Sequence, residues 1–386
     1  MKRRDKGTGS IRQRGSKWEA TYSYIDASGQ RRRRSKRFST KTTARKWLTA
    51  RIAGIEAGRV SDAGRLTLRT YVGEWVSTLP LSGLEPSTVS WYRSAAVKHI
   101  IPSLGARRLD RLTPTTIEAF LADKADNGRL DGSGGLSATS VRRLRVTLHK
   151  ALDAAVRKGL LDRNPVDQAD SPRMPPRDVT IDVWTIDELA MFTEAARTDR
   201  LSAVWRLAAM SGLRRSELCG LKWSDLDLGR EMLSVRRAVV IVDGGPVRIK
   251  PPKTAKSRRT VELDGATVVA LKEWKRAQIE ERLLAGPAWD PGDWVVADEL
   301  GAVLRPDRLG KRFSEIAKEA GLRRITIRQL RHSHATALLS TGESPKVVQE
   351  RLGHSSISVT LDVYSAVLPN MQRDAVDRLA QVFDAR

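Results

Sequence analysis

"SPKVVQERLGHSSISVTLDVY", residues 344–364, closes one helix, opens another, and sets a histidine and a tyrosine on either side of the junction. Ser344 is placed to cap a helix, Pro345 suits its first turn, and Gly353 is its stop. His354 therefore leaves the helix at once, in an exposed and directional position. Ser358 is placed to cap the next short helix, "VTLDVY", which carries Tyr364. A tyrosine in a helix-rich chain is ordinarily a packing aromatic, so Tyr364 alone says little. Its isolation says more: the other tyrosines, Tyr22, Tyr24, Tyr71 and Tyr92, all lie in the first quarter of the chain.

Upstream, "MSGLRRSELCGLKWSDLD" (210–227) places Arg214 after a Gly-Leu turn with Glu217 three residues on. A glutamate at that spacing holds the arginine on the same face or caps the helix, and an exposed ion pair is the ordinary outcome. "KPPKTAKSRRTVEL" (250–263) brings Lys253 to the tip between two predicted strands. A loop lysine is usually just solvated, but that position also lets it reach a phosphate or protonate a leaving alkoxide. "ITIRQLRHSHATALLSTG" (325–342) opens a helix with Arg328 and Arg331 three apart, so that two guanidinium forks can converge on a tetrahedral phosphate. His332 and His334 are two apart on that helix and diverge, which argues against a metal site. His332 and the single cysteine, Cys219, read as packing residues.

The bulk numbers point the same way. The chain of 386 residues carries 69 Lys and Arg against 45 Asp and Glu, a formal charge of +24. That excess predicts a polyanionic partner, of which nucleic acid is the commonest. One cysteine excludes an internal disulfide framework. No apolar run is long enough to span a membrane, and no secretory signal follows the charged opening, so a soluble cytoplasmic location is expected.

The sequence divides into a multi-domain, mainly α chain with small β-sheets. Residues 1–62 form a small β-rich domain: "KWEATYSYIDASGQRRRRSKRFST" reads as a hairpin broken at "DASGQ", followed by a helix with Trp47, Ile52 and Ile55 on its packing side. Arg31, Arg32, Arg33 and Arg34 sit just past the turn and face solvent, as a solubilising arm or a phosphate-binding surface. Residues 66–168 show four helical stretches, with start signals at Pro86, Thr113 with Pro114, and Ser137, and stops at Gly105 and Gly159. Lys98, Arg142, Arg143 and Arg145 are candidates to line one basic face. The Pro- and Asp-rich stretch "RNPVDQADSPRMPPRDVTID" (163–182) has no period and reads as a linker, with 169–182 assigned to it. Residues 183–386 are a mixed α+β domain, with "MLSVRRAVVIVDGGPVRIKPPKTAKSRRTVEL" as a small antiparallel sheet turned at "VDGGP".

In this order and spacing the pieces resemble the tyrosine recombinase or phage integrase family along nearly the whole chain. Gly212-Leu-Arg214-x-x-Glu217 is similar to the first arginine box, Lys253 to the β-hairpin lysine, and Leu330-Arg331-His332 to the second arginine box. Leu352-Gly353-His354 through Tyr364 is similar to the histidine and nucleophile. The resemblance implies an arm-site DNA-binding domain, a helical core-binding domain and a catalytic domain, in the layout of integrases of temperate phages and integrative elements. It implies attack of the Tyr364 hydroxyl on a DNA phosphodiester, a 3′-phosphotyrosyl intermediate and a free 5′-hydroxyl, with no cofactor. Arg214, Arg331 and Arg328 would clamp the transition state, with His354 adding a hydrogen bond and Lys253 protonating the departing 5′ oxygen. Glu217 and His332 would be supporting residues.

One position departs from the family pattern, which has His-x-x-Arg where this chain has Arg328-Gln-Leu-Arg331. An arginine cannot accept a proton at ordinary pH. The implied partners are double-stranded DNA at core and arm sites, a homo-tetramer on that DNA, and an excisionase or host DNA-bending protein, near the nucleoid. The tail "SAVLPNMQRDAVDRLAQVFDAR" (365–386) is expected to be an amphipathic helix docking on a neighbouring protomer. A Xer-like resolvase, a type IB topoisomerase or a non-catalytic DNA-binding regulator are the alternatives.

Overall fold

The computed structural model describes residues 9–25, 30–56, 66–174, 182–251 and 258–354, with 376–377, 380–381 and 383–384 near the end. It divides into two compact units, Met1–Arg177 and Asp178–Arg386.

The first unit opens with three strands where the sequence predicts two. β1 (Ser10–Arg14), β2 (Lys17–Ile25) and β3 (Arg31–Phe38) form one antiparallel sheet in that order. The helix α1 (Lys41–Glu56) covers one face, burying Tyr22, Tyr24, Ala20, Ala44 and Leu48, with Trp47, Ile52 and Ile55 packed against them. Tyr22 pairs with Arg34 and Tyr24 with Arg32, so those two arginines project from the helix-covered side of this edge strand. Arg31 and Arg33 share the opposite, open face, together with Arg12, Arg14, Lys17 and Arg37. The expectation that the run faces solvent holds for Arg31, Arg32 and Arg33, which are exposed, while Arg34 is half-buried; the pleat divides the four between the two faces. Glu19 sits on that open face and pairs with Arg14 at 3.3 Å and Arg37 at 3.6 Å.

Four long helical stretches then follow as expected: α2 (Leu68–Thr78), α3 (Pro86–Ala95), α5 (Pro114–Asn127) and α6 (Ala138–Arg157). α3 runs through a wide turn at Ala96–Ile100 into the short α4 (Ile101–Leu104). The hydroxyls of Thr67, Thr113 and Ser137 accept from the backbone N–H three residues on, satisfying donors that a helix start leaves open. On α6 the residues Val141, Leu144, Leu148, Ala151, Leu152 and Ala155 are buried at helical spacing. Two readings need correction here. Arg145 does not join a basic face; its guanidinium donates to the carbonyls of Val166 (3.0 Å) and Ala169 (3.2 Å). Those two residues are themselves buried in the helical core, so "RNPVDQA" is packed structure rather than linker.

In the second unit the sheet residues form two small sheets: β4 (Leu226–Asp227), β5 (Met232–Val235) and β8 (Arg259–Glu262) make one, and β6 (Ala238–Ile241) with β7 (Val247–Lys250) make the predicted hairpin. Helices α7 (Ile186–Ala195), α8 (Ser202–Ser211), α9 (Arg215–Leu218), α10 (Gly265–Ala285), α11 (Pro306–Glu319), α12 (Ile327–Ser340) and α13 (Pro345–Leu352) complete it. Trp184, Phe192, Trp205 and Phe313 stack as a buried aromatic group with ring centroids 4.9 to 6.2 Å apart. Each such pair adds roughly 0.5–1.5 kcal/mol beyond its area. This core anchors α7, α8 and α11, and α8 packs against α12.

Candidate active site

Two helix C-termini define the centre. α8 ends at Gly212 (φ 61°) and α13 at Gly353 (φ 66°), both left-handed caps, and each end leaves carbonyls without intrahelical partners. Arginines satisfy them. Arg331, buried on α12, donates to Gly212 O at 2.8 Å and to Leu352 O at 2.6 Å, bridging the two ends. Arg214, at the turn that opens α9, donates to Gly353 O at 3.3 Å. Arg259, on β8, donates through Nε to Arg351 O at 2.7 Å. Three consecutive carbonyls, 351 to 353, thus accept from three arginines carried by three different elements. Helix C-termini carry partial negative charge, which helps hold these cations in place.

Glu217 supplies the full negative charge. It accepts from Arg214 Nη1 at 2.6 Å and from the Arg214 backbone N–H at 3.0 Å, and from Arg259 Nη2 at 2.9 Å. Both expected roles, holding the arginine and capping the helix, are filled at once. The default of an exposed pair is overturned, because Glu217 is only 3% exposed. Its burial works to raise the carboxyl, but the hydrogen bond and charge of Arg259 and the charge of Arg214 outweigh it and hold the group below the usual range.

His354 follows directly on the α13 cap, its backbone bracketed by Gln349: its N–H donates to Gln349 O and its carbonyl accepts from Gln349 Nε2, both at 3.1 Å. Burial and then the charges of Arg331 and Arg214 push its imidazole down to about 4. His332 is lowered to about 4 by burial and by Arg328 and Arg331. Both are neutral imidazoles at pH 7 in this DNA-free chain. Arg328 is exposed, unlike Arg331, and makes no hydrogen bond or ion pair among the described residues; it reaches the cluster as a charge beside His332. Cys219 is fully buried, and burial raises its thiol to about 12, in keeping with a packing role. Lys253 and Tyr364 lie outside the described residues.

Sequence reasoning missed Arg259 and Arg351, and named His334 only to argue against a metal site. Arg351 donates to His334 Nε2 at 3.2 Å and to Met210 O at 2.9 Å, fastening α13 to the end of α8. Burial, with Arg351 next, pushes His334 down to about 3, so it stays a neutral acceptor. The signal for Arg259 was present: it falls in phase with the buried Val261 and Leu263, so an inward arginine was written into the alternation. Arg351 likewise lies three residues from the buried Val348.

Away from this centre, Arg142 and Arg143 are exposed on α6, and Arg143 lies over the Trp91 ring at 5.7 Å. Lys98 is exposed on the turn after α3.

Residues 183–371 match the model of the phage integrase family, and residues 10–54 match an arm DNA-binding domain. A tyrosine recombinase XerC-like protein of Caldanaerobacter subterraneus subsp. tengcongensis is 29% identical over 86% of this chain and 87% of its own length. The tyrosine recombinase XerC of Chromohalobacter salexigens is 30% identical over 74% of this chain and 95% of its own. Among solved structures, the Tn1549 transposon integrase in complex with transposon right end DNA matches with a TM-score of 0.63 at 20% identity, over 82% of this chain and 100% of that one. The last likeness is one of fold.

Proposed function

The chain belongs to the phage integrase family of tyrosine recombinases, enzymes that cut and rejoin DNA at specific sites, and from that premise we propose how its residues divide the work. Tyr364 is the nucleophile. Its hydroxyl oxygen bonds to the scissile phosphorus, the bond from phosphorus to the 5′ oxygen breaks, and the phosphate is held as a 3′-phosphotyrosine until a 5′-hydroxyl reverses the step. The energy of the phosphodiester is conserved, so the exchange requires no nucleotide cofactor.

The observation that carries this reading is the guanidinium cluster. Arg214, Arg259 and Arg331 are fixed by the three consecutive carbonyls of residues 351–353, and Arg214 and Arg259 also share one carboxylate, Glu217. Positive charge set in place before substrate arrives suits the extra negative charge of a phosphorane-like transition state. Arg214 and Arg331 are its direct contacts in our assignment, Glu217 orients Arg214, and Arg328 adds field from the rim. With an arginine at 328, the phenol proton passes to His354, which is neutral and therefore able to accept it. A bound phosphodiester anion offsets the arginine charges that now depress this imidazole, making it a stronger base once DNA is seated. Lys253 gives a proton to the leaving 5′ oxygen, and His332 packs beside Arg331.

The remaining assignments follow the same layout: 1–62 binds arm sites, 66–169 binds the core through Lys98, Arg142 and Arg143, 170–182 links, and 183–386 catalyses. A homo-tetramer on DNA, with an excisionase or bending protein, at the nucleoid, completes the proposal. Among the described residues no helix is long and apolar enough to cross a membrane.

A nicked suicide duplex of the recombination core tests the centre of it. The unchanged chain is expected to leave a covalent protein–DNA adduct, and Tyr364→Phe to bind the same duplex and leave none. Adduct at undiminished yield from the variant removes Tyr364 from the role.

A further inference from the structure

We propose that Arg259 is a positioning residue for the recombination reaction, a strut that fixes the Arg214 turn and the His354 end of α13 relative to each other. The inference rests on the functional reading above. Arg259 reaches Glu217 with Nη2 at 2.9 Å and Nη1 at 3.3 Å, and Arg351 O with Nε at 2.7 Å. Its side chain is 6% exposed, so it is positioned as scaffold and not as a surface contact for DNA.

The wiring gives it this role. Glu217 holds both the guanidinium and the backbone N–H of Arg214, and Arg259 holds Glu217 by both oxygens. The same planar fork takes the carbonyl of Arg351, three residues before His354, while Arg331 takes the next carbonyl along. One rigid group therefore spans α9, β8 and α13, and the strand it stands on, β8, begins six residues after Lys253. Arginine suits the place because its donors lie in one plane at fixed angles; a lysine ammonium is a point donor that satisfies one side or the other. Loss of the strut lets the Arg214 turn and the His354 end drift apart, and a misplacement of about 1 Å in such a constellation costs on the order of 100-fold in rate.

The full chain with Arg259→Lys and with Arg259→Met is compared with the unchanged chain on the nicked core duplex, following adduct formation against pH, core-DNA affinity and thermal melting. For Arg259→Lys, the rate is expected to fall roughly tenfold or more with affinity within about threefold and little change in melting. For Arg259→Met, the loss reaches about 100-fold. Its acid limb also moves to higher pH, because Glu217 keeps the burial that raises its carboxyl and loses the partner that lowers it. A purely structural arginine would lower melting and leave the rate per folded molecule and its pH profile where they were. An Arg259→Lys rate within threefold of the unchanged chain overturns the proposal, and decides it alone where Arg259→Met does not fold. If the unchanged chain itself forms no adduct, the functional reading falls and takes this one with it; adduct from the unchanged chain with an unaltered variant removes the strut only.

Discussion

Gly212 shows how much of the centre hangs on single atoms. Its φ of 61° is left-handed, and a Cβ there would lie 2.7 Å from His334 Cδ2 and 2.7 Å from Leu352 Cδ2. The same residue's carbonyl receives Arg331. An alanine meets two costs at once: about 1–2 kcal/mol for the left-handed backbone and about 1–3 kcal/mol for overpacking the contact with α13. Gly212→Ala is expected to destabilise the chain by roughly 2–5 kcal/mol in chemical denaturation, and to depress adduct formation because the Arg331 bridge shifts. A loss of only about 1–2 kcal/mol, the left-handed backbone cost alone, would mean that His334 and Leu352 yield freely. The motif Gly-Leu-Arg was legible in the sequence, but the reason for its glycine was not. That reason is a contact with residues more than a hundred positions away.

At the scale of elements, the pleat of the N-terminal sheet makes a directional test. Arg31 and Arg33 stand on the open face with Arg12 and Arg37, while Arg32 and Arg34 stand on the side covered by α1, Arg34 over the Tyr24 ring at 5.6 Å. If the open face meets DNA phosphates, Arg31→Ala with Arg33→Ala weakens arm-DNA binding and lowers the salt slope by up to about 0.9 per lost contact. Arg32→Ala with Arg34→Ala is expected to do less to the slope and more to folding, since Arg34 packs on a buried ring. Equal slopes for the two pairs would argue that the edge, not the face, carries the DNA. The sequence showed the hairpin, its turn, the helix and the basic run; strand β1 went unseen because "SIRQR" is too polar to display an apolar alternation. Local signals succeeded wherever the physics is local, as with the caps at Thr113, Ser137 and Ser344 and the stop at Gly353. The packed stretch around Val166 read as linker because its Pro and Asp content is that of a loop, and only tertiary contact reveals its burial.

For the molecule as a whole, the buried histidines and carboxylates of the second unit, set among the arginines of the candidate site, give a pH dependence whose sign can be worked out. His332, His334 and His354 are pushed down to about 4, 3 and 4, burial first in each case and neighbouring arginines after it. In the unfolded chain they return to the ordinary value near 6.5. Between those values the unfolded state binds protons that the folded state refuses, so stability present above pH 6.5 is lost as pH falls toward 4. Glu217, Asp199 and Asp264 extend the trend, since each is held below its ordinary value and loses its contribution as acid protonates it. The slope approaches about 1.4 kcal/mol per pH unit for the buried His334, and less for the half-buried pair, whose charges solvent screens. Thermal unfolding of the DNA-free chain at pH 7, 5.5 and 4.5 is expected to show the transition of the second unit moving steadily down. Core DNA added at saturation should flatten that slope, because a phosphate among the arginines removes part of what keeps His354 unprotonated. A transition that holds still from pH 7 to 4.5 would mean that neither burial nor the neighbouring arginines keep these imidazoles unprotonated in the folded chain.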